Sequence, residues 1–320
     1  MIRIPSVIIL MVLMLGNVQA QTYRYHPGND VVGNISIHTI QDGDNFLQLA
    51  QTFRVGFNEL VDANRDVDPW IPESGAQIII PTQYVLPNVE RVGVIINLAE
   101  LRLYQFHGTV DNISTVSTYP VSVGKDDEWK TPLSFTHITS KTARPNWYPP
   151  ASILKEHEEN NDPLPKVVPP GPDNPLGEYK IGLALSGYLI HGTNVPEGIG
   201  MRVTHGCIRL HPTGIKKLFN SVEINTPVTI INQPYKVGWH EDKLYVETHS
   251  EIEEQEKASS RNLTEFVQLV VAKTKEKEQG SYKILWEKGY QEAKEKRGVP
   301  FLMSMHENQS DNQEKEKSRQ

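Results

Sequence analysis

From His38 onward the apolar and polar positions follow two rhythms, and the change between them divides the chain. His38 to Ile40 reads as a short strand and is followed by a turn at Asp42-Gly43-Asp44. Phe46, Leu49, Ala50 and Phe53 then recur at helical spacing, and Phe57, Leu60 and Val61 predict a second short helix ending near Asn64. After a turn with Pro69 and Gly75, Gln77 to Ile80 reads as a closing strand stopped by Pro81. Residues 38–82 thus carry the order strand, helix, helix, strand. The preceding residues 21–37 are polar, Gly-containing and aperiodic, and read as a leader.

From Val92 to Asn232 the rhythm shortens to that of strands. "VGVIINLAELRLYQF" holds two β-rich runs around a polar break, which predicts a hairpin. "STVSTYPVSVG", "SFTHITSK", "GYLIHG" and "TPVTIIN" continue as short strands, and "TGIKKLFN" is the one clear helical stretch. The expectation is a mainly-β, sandwich-like domain. Eight prolines lie between Pro149 and Pro175 with almost no apolar pattern, too long for an ordinary connection. That segment is expected to be ordered and to cover a site.

Beyond residue 234 the pattern changes again. "KLYVETH" predicts a strand added to the preceding domain. Asn262 caps a predicted helix carrying Leu263, Phe266, Val267, Val270 and Val271, with Glu265 at its third position. A second helix around Tyr282, Leu285 and Trp286 is expected to pair with it, which makes 234–302 partly helical. Residues 303–320 are nearly all polar and read as a disordered tail.

The first twenty residues, "MIRIPSVIILMVLMLGNVQA", combine Arg3, an apolar run from Val7 to Leu15 and small residues up to Ala20. This is the pattern of a secretory signal peptide cleaved after about Ala20, too short for a permanent span. No later stretch predicts a transmembrane anchor. Loss of Arg3 takes the formal charge from −7 to −8. An acidic chain without a Lys/Arg block offers nucleic acid no footprint.

Export sharpens the question of the single cysteine, because one thiol closes no internal bridge. Cys207 is therefore a buried structural residue, an interchain partner or a reactive group. Its surroundings favour chemistry. A thiol attacks as its thiolate, so something must take its proton. His191 ends the strand-like "YLIHG", and Cys207 follows the extended "RVTHG". Two adjacent strand ends would bring imidazole and thiol to one sheet edge, where His191 acts as general base. Gly206 lets the chain pass close to a substrate, and the N–H groups of His205, Gly206 and Cys207 could hold an oxyanion. A zinc site of His191, His205, Cys207 and His211 is the competing arrangement. The chain has no second cysteine and no "HExxH", so no metal or other cofactor is expected.

Two resemblances add to this reading. "DGDNF", "ANRDVDPW" and "IIIPT" resemble a LysM module over residues 38–82. The resemblance implies a βααβ domain that binds N-acetylglucosamine-containing glycan at Gly43, Asp44, Asn45 and Phe46. Asn45 stands where that family usually has Thr or Ser. "IHGTN" followed by "GIGMRVTHGCIRL" resembles the signature of L,D-transpeptidases with the YkuD-type fold over residues 91–233. It implies that Cys207 attacks a peptidoglycan tetrapeptide stem at the carbonyl of its third residue, releasing D-alanine and leaving a thioester. His191 would be the acid/base, oriented through the Gly192 carbonyl. The N–H groups of His205, Gly206 and Cys207 would stabilise the oxyanion. Arg209 would bind a carboxylate, Thr204 would support the loop, and Tyr188 would pack near the site. The implied place is the periplasm of a Gram-negative cell. The implied acceptor is an amine, from another stem or from an outer-membrane protein or lipoprotein, with water, which would hydrolyse the thioester, as the further alternative. The alternative from another class is a catalytically silent peptidoglycan-binding wall protein.

Overall fold

The computed structural model describes residues 21–125, 129–250, 263–277 and 282–306. The signal-like residues 1–20, Asn262 and the tail from 307 lie outside the described residues. Among the described residues no helix is long and apolar enough to cross a membrane.

The segment 21–37, read as an aperiodic leader, contains β1 (Gln21–Tyr25) and β2 (Val31–Gly33). Backbone pairing, which needs no side-chain period, holds β1 on the main sheet. Next come β3 (Ser36–Thr39), α1 (Phe46–Phe53), α2 (Phe57–Ala63) and β4 (Gln77–Ile80), with β3 antiparallel to β4. The Asn45 side chain caps α1 by accepting from the Gln48 N–H at 3.0 Å. Phe46, Leu49, Phe57, Leu60, Ile78 and Ile80 form its small core. Short β5 (Gln83–Val85) returns to pair with β2.

The main sheet holds β6 (Val94–Asn97), β7 (Arg102–Val110), β8 (Ile113–Gly124) and β9 (Ser134–Ala143). After α3 (Ala151–Glu159) it continues with β10 (Tyr179–Leu183), β11 (Leu189–His191), β12 (Arg202–Thr204) and β13 (Ile208–Leu210). Then come α4 (Pro212–Ser221) and β14 (Pro227–Ile231). The strands pair in the order β8-β13-β11-β10-β9-β14-β6-β7, and β7 pairs again with β8. The domain is thus mainly β as expected, but its sheet closes like a barrel and is not a sandwich. The reason lies in β8, which is long enough to serve two neighbours. Before Pro120 it pairs with β7 and β1, and beyond Pro120 with β13 and β12. The barrel interior and α4 share one apolar core that includes Ile181, Ile190, Ile208, Ile215 and Leu218.

The C-terminal region begins with the hairpin β15 (Tyr235–His240) and β16 (Lys243–Thr248). "KLYVETH" was expected to extend the preceding domain, but β16 pairs instead with Phe301–Leu302 in a separate small sheet. Helices Thr264–Thr274 and Trp286–Glu295 pack their Phe266, Val270 and Ala293 onto it. Tyr282, expected in the second helix, lies in a strand, Tyr282–Ile284, that pairs with Ser304–His306. The start of the polar tail is therefore structured, and Met303 is fully buried. The buried Lys236 ammonium lies 2.5 Å from Glu100 and 3.0 Å from Glu247, joining this region to the barrel. Glu100, Glu247 and His249 form a cluster of metal-ligating type, and Lys236 already supplies a cation to both of its carboxylates.

Candidate active site

Across β10, β11 and β13, Ile181 is the register partner of Ile190, and Ile190 of Ile208. All three are fully buried in the barrel core. Strand side chains alternate faces, so the neighbouring row points the other way. That row is Lys180, His191 and Arg209, with Lys180 opposite His191 and His191 opposite Arg209. Cys207 precedes Arg209 by two residues and faces the same space. The four side chains line one cavity of about 670 Å³. Pairing of the parallel strands β11 and β13 thus does what the two sequence motifs required of it.

The Pro-rich segment and the residues just before it line this cavity. Trp147, Tyr148, Pro150, Ser152, Ile153 and His157 line it, with Trp129 and Tyr188 on other walls. An aperiodic segment of this composition still contains α3, whose nine residues lack any buried position.

His191 is buried, and its Nδ1 lies 2.7 Å from the Gly192 carbonyl. A carbonyl only accepts, so Nδ1 carries the proton and Nε2 keeps its lone pair. Burial first, then the Arg209 charge, push its pKa down to about 4, against a smaller upward pull from the Gly192 bond. The imidazole is neutral at pH 7. Cys207 is half-buried, and burial pushes its thiol up; hydrogen bonding from the Leu189 backbone and the Arg209 charge pull it back in part. Its sulfur lies 3.8 Å from the Gly187 carbonyl. The resting pair is therefore neutral thiol and neutral imidazole, with no preformed ion pair.

Gly206 adopts a φ of +94°, and a β-carbon there would press on Tyr188 at 3.0 Å. Both constraints call for glycine. Its N–H donates to the Thr204 hydroxyl at 3.2 Å, and that hydroxyl donates to the Cys207 carbonyl at 2.7 Å. Thr204 thus braces the turn from within. The His205 ring stacks edge-on against Trp129 and lies 2.7 Å from a Glu156 carboxylate oxygen, which ties α3 to the cysteine turn. Tyr188 reaches the Lys130 carbonyl at 3.3 Å. The buried Arg209 Nε has no hydrogen-bond partner among the described residues. His211 lies apart and caps α4, accepting from the Thr213 N–H at 3.3 Å.

Of the glycan-site candidates, Gly43 is exposed, Asp44 and Asn45 are half-buried, and only Phe46 is buried. Gly43 makes the turn at φ +88°. Asp44 bonds His38 and the Gln41 N–H, both at 2.9 Å, Asn45 caps α1, and Phe46 is fully buried. Sequence reasoning missed Lys180, Trp129 and Glu156. Lys180 was readable from the hairpin alternation of "YKIGL" against "YLIHG"; the other two carry no local signal.

Residues 91–230 match the family model of the L,D-transpeptidase catalytic domain, YkuD. The chain is 42% identical over 225 residues to the probable L,D-transpeptidase YcfS of Escherichia coli, covering 69% of each chain. It is 38% identical over 228 residues to the probable L,D-transpeptidase YbiS of the same species, covering 70% of this chain and 72% of that one. For the probable L,D-transpeptidase ErfK/SrfK the identity is 36% over 254 residues, with 77% of each chain covered. With the pocket built on the segments that the family model spans, the chain belongs to the L,D-transpeptidase family and is an enzyme of that class.

Proposed function

We propose that Cys207 is the nucleophile and His191 the acid/base of a periplasmic L,D-transpeptidase acting on peptidoglycan tetrapeptide stems. One observation carries this reading. His191 and Cys207 line one cavity, and commitment of the His191 Nδ1 to the Gly192 carbonyl leaves Nε2 free to take a proton.

Cys207 attacks the carbonyl carbon of the donor's third residue, and its thiol proton passes to His191 Nε2. The S–C bond forms as the carbonyl oxygen becomes an oxyanion. The Gly206 N–H is already taken by Thr204, so the N–H groups of His205 and Cys207 are the readier donors to that oxygen. Collapse breaks the C–N bond, the imidazolium returns its proton to the departing amine, and D-alanine leaves a thioester behind. An acceptor amine then attacks the thioester, gives its proton to His191, and displaces the sulfur, which is reprotonated. A neutral resting pair suits this sequence, because proton and sulfur move together on attack. The acceptor is a stem amine, giving a 3→3 cross-link, or a lysine of an outer-membrane protein.

Support for the periplasmic setting comes from the signal-like first twenty residues. The βααβ unit has the element order of a LysM module, and we read it as a contact with wall glycan. Phe46 serves that unit as core and not as contact surface. Incubation with a tetrapeptide stem tests the reading: wild-type protein should release D-alanine, and Cys207→Ser should release none. Equal release by both proteins would remove Cys207 from the chemistry.

A further inference from the structure

We propose that Lys180 recognises the C-terminal carboxylate of the leaving residue and so selects donors that end one residue past the scissile bond. The proposal rests on the donor chemistry of the preceding subsection and assigns a role to a residue outside both sequence motifs.

The strand order carries the argument. The nucleophile immediately precedes β13, and the acid/base and Lys180 stand on β11 and β10, so the three follow consecutive strands of one sheet. Neighbouring strands lie about 4.8 Å apart, so Lys180 begins about 10 Å from the nucleophile strand, with His191 between them. The donor presents its groups in the same order: attacked carbonyl, leaving amine, then terminal carboxylate. The carbonyl must meet Cys207, and the amine must meet His191 to receive its proton. A leaving residue placed so extends past His191 towards β10, where the flexible Lys180 side chain meets its carboxylate.

The charge distribution points the same way. Lys180 is half-buried, lines the cavity, and makes no ion pair or side-chain hydrogen bond with any described residue. Arg209 adds a second cation on the other side of His191. Among the described residues that line this cavity none is Asp or Glu, although the chain as a whole has 39 acidic and 32 basic residues. Two half-buried cations with no counter-ion among the described lining residues repel one another, and an anionic ligand relieves both. A charge-assisted contact from an ammonium to a carboxylate gives affinity and orientation together.

The test compares two tetrapeptide donors, one with a free terminal carboxylate and one amidated there. Turnover is followed by release of the last residue, and binding is measured separately on Cys207→Ala protein. Wild type should prefer the free acid by roughly 10-fold or more in kcat/KM. Lys180→Met should raise KM for the free acid by a similar factor, leave kcat within about twofold and leave the amide unchanged. Lys180→Arg should restore most of the preference. In the Cys207→Ala background, Lys180→Met should weaken binding of the free acid alone. Equal losses on both donors, or none on either, would overturn the proposal. If binding discriminates but no donor is turned over, the recognition role stands and the acyl-transfer reading falls.

Discussion

A β-carbon placed on Gly200 would come within 2.3 Å of the Gly56 Cα, so these two glycines meet backbone against backbone. At this contact the Phe57 N–H donates to the Ile199 carbonyl at 3.2 Å, and the Asn58 N–H to the Gly200 carbonyl at 3.3 Å. The first turn of α2 is thereby satisfied by the chain between His191 and Cys207. Met201 packs onto the core of the βααβ unit. The small unit is therefore a structural support of the catalytic segment.

Gly200→Ala is expected to cost about 1–4 kcal/mol of stability, because φ is +87° and the obstructing atoms are backbone. Turnover should fall as well, since displacement of this segment moves Cys207 relative to His191. Gly56→Ala, at an ordinary φ of −73° and with its nearest contact at 3.0 Å, should be the milder change. Thermal unfolding and D-alanine release of the two variants check the ranking.

A buried ion pair between Arg102 on β7 and Glu59 on α2 fastens the same two units. Arg102→Met leaves the Glu59 carboxylate buried and unpaired, and should destabilise by about 3–5 kcal/mol. Adding Glu59→Gln to that variant should recover a large part of the loss. Denaturant titration of the single and double variants measures the coupling.

The low pKa of His191 gives a stability change of known sign. The folded imidazole ionises near pH 4, and the unfolded one near its ordinary 6.5. Between these values the unfolded chain binds the extra proton. This contribution is therefore complete above about pH 6.5 and is lost as pH falls towards 4, about 3 kcal/mol in all. His191→Asn should flatten that part of the pH–stability curve. Activity should persist to lower pH than an unperturbed histidine base allows.

Arg209 lowers the pKa of both partners, favouring the Cys207 thiolate and the neutral His191 imidazole. Arg209→Met should therefore raise both. Iodoacetamide alkylation of Cys207 should require more alkaline solution in the variant than in wild type. Rates of alkylation against pH measure the shift directly.

Much of the site was legible because it follows from strand periodicity. Ile190 and Ile208 mark the buried face, and parity alone then places His191, Arg209 and Cys207 on the other. Barrel closure was not legible, because it depends on one strand, β8, changing partners at Pro120, and both halves of that strand read alike. Glu156 was hidden for a different reason: its link to His205 spans 49 residues and joins an exposed helix to a turn. Residues 21–37 gave no period because their strands are held by backbone pairing to β8 and β5. The role of Phe46 was misread towards a ligand, although its place in the helical repeat already marked it as core.

The central claim is that Cys207 carries the acyl group. Its most direct test is intact-mass and peptide-level mass spectrometry of the protein mixed with a tetrapeptide donor and no acceptor amine. The account predicts a single adduct on Cys207, equal to the donor minus the mass lost with its terminal D-alanine, that disappears when an amine is added. D-alanine release without any adduct on Cys207, and undiminished in Cys207→Ala, would contradict it.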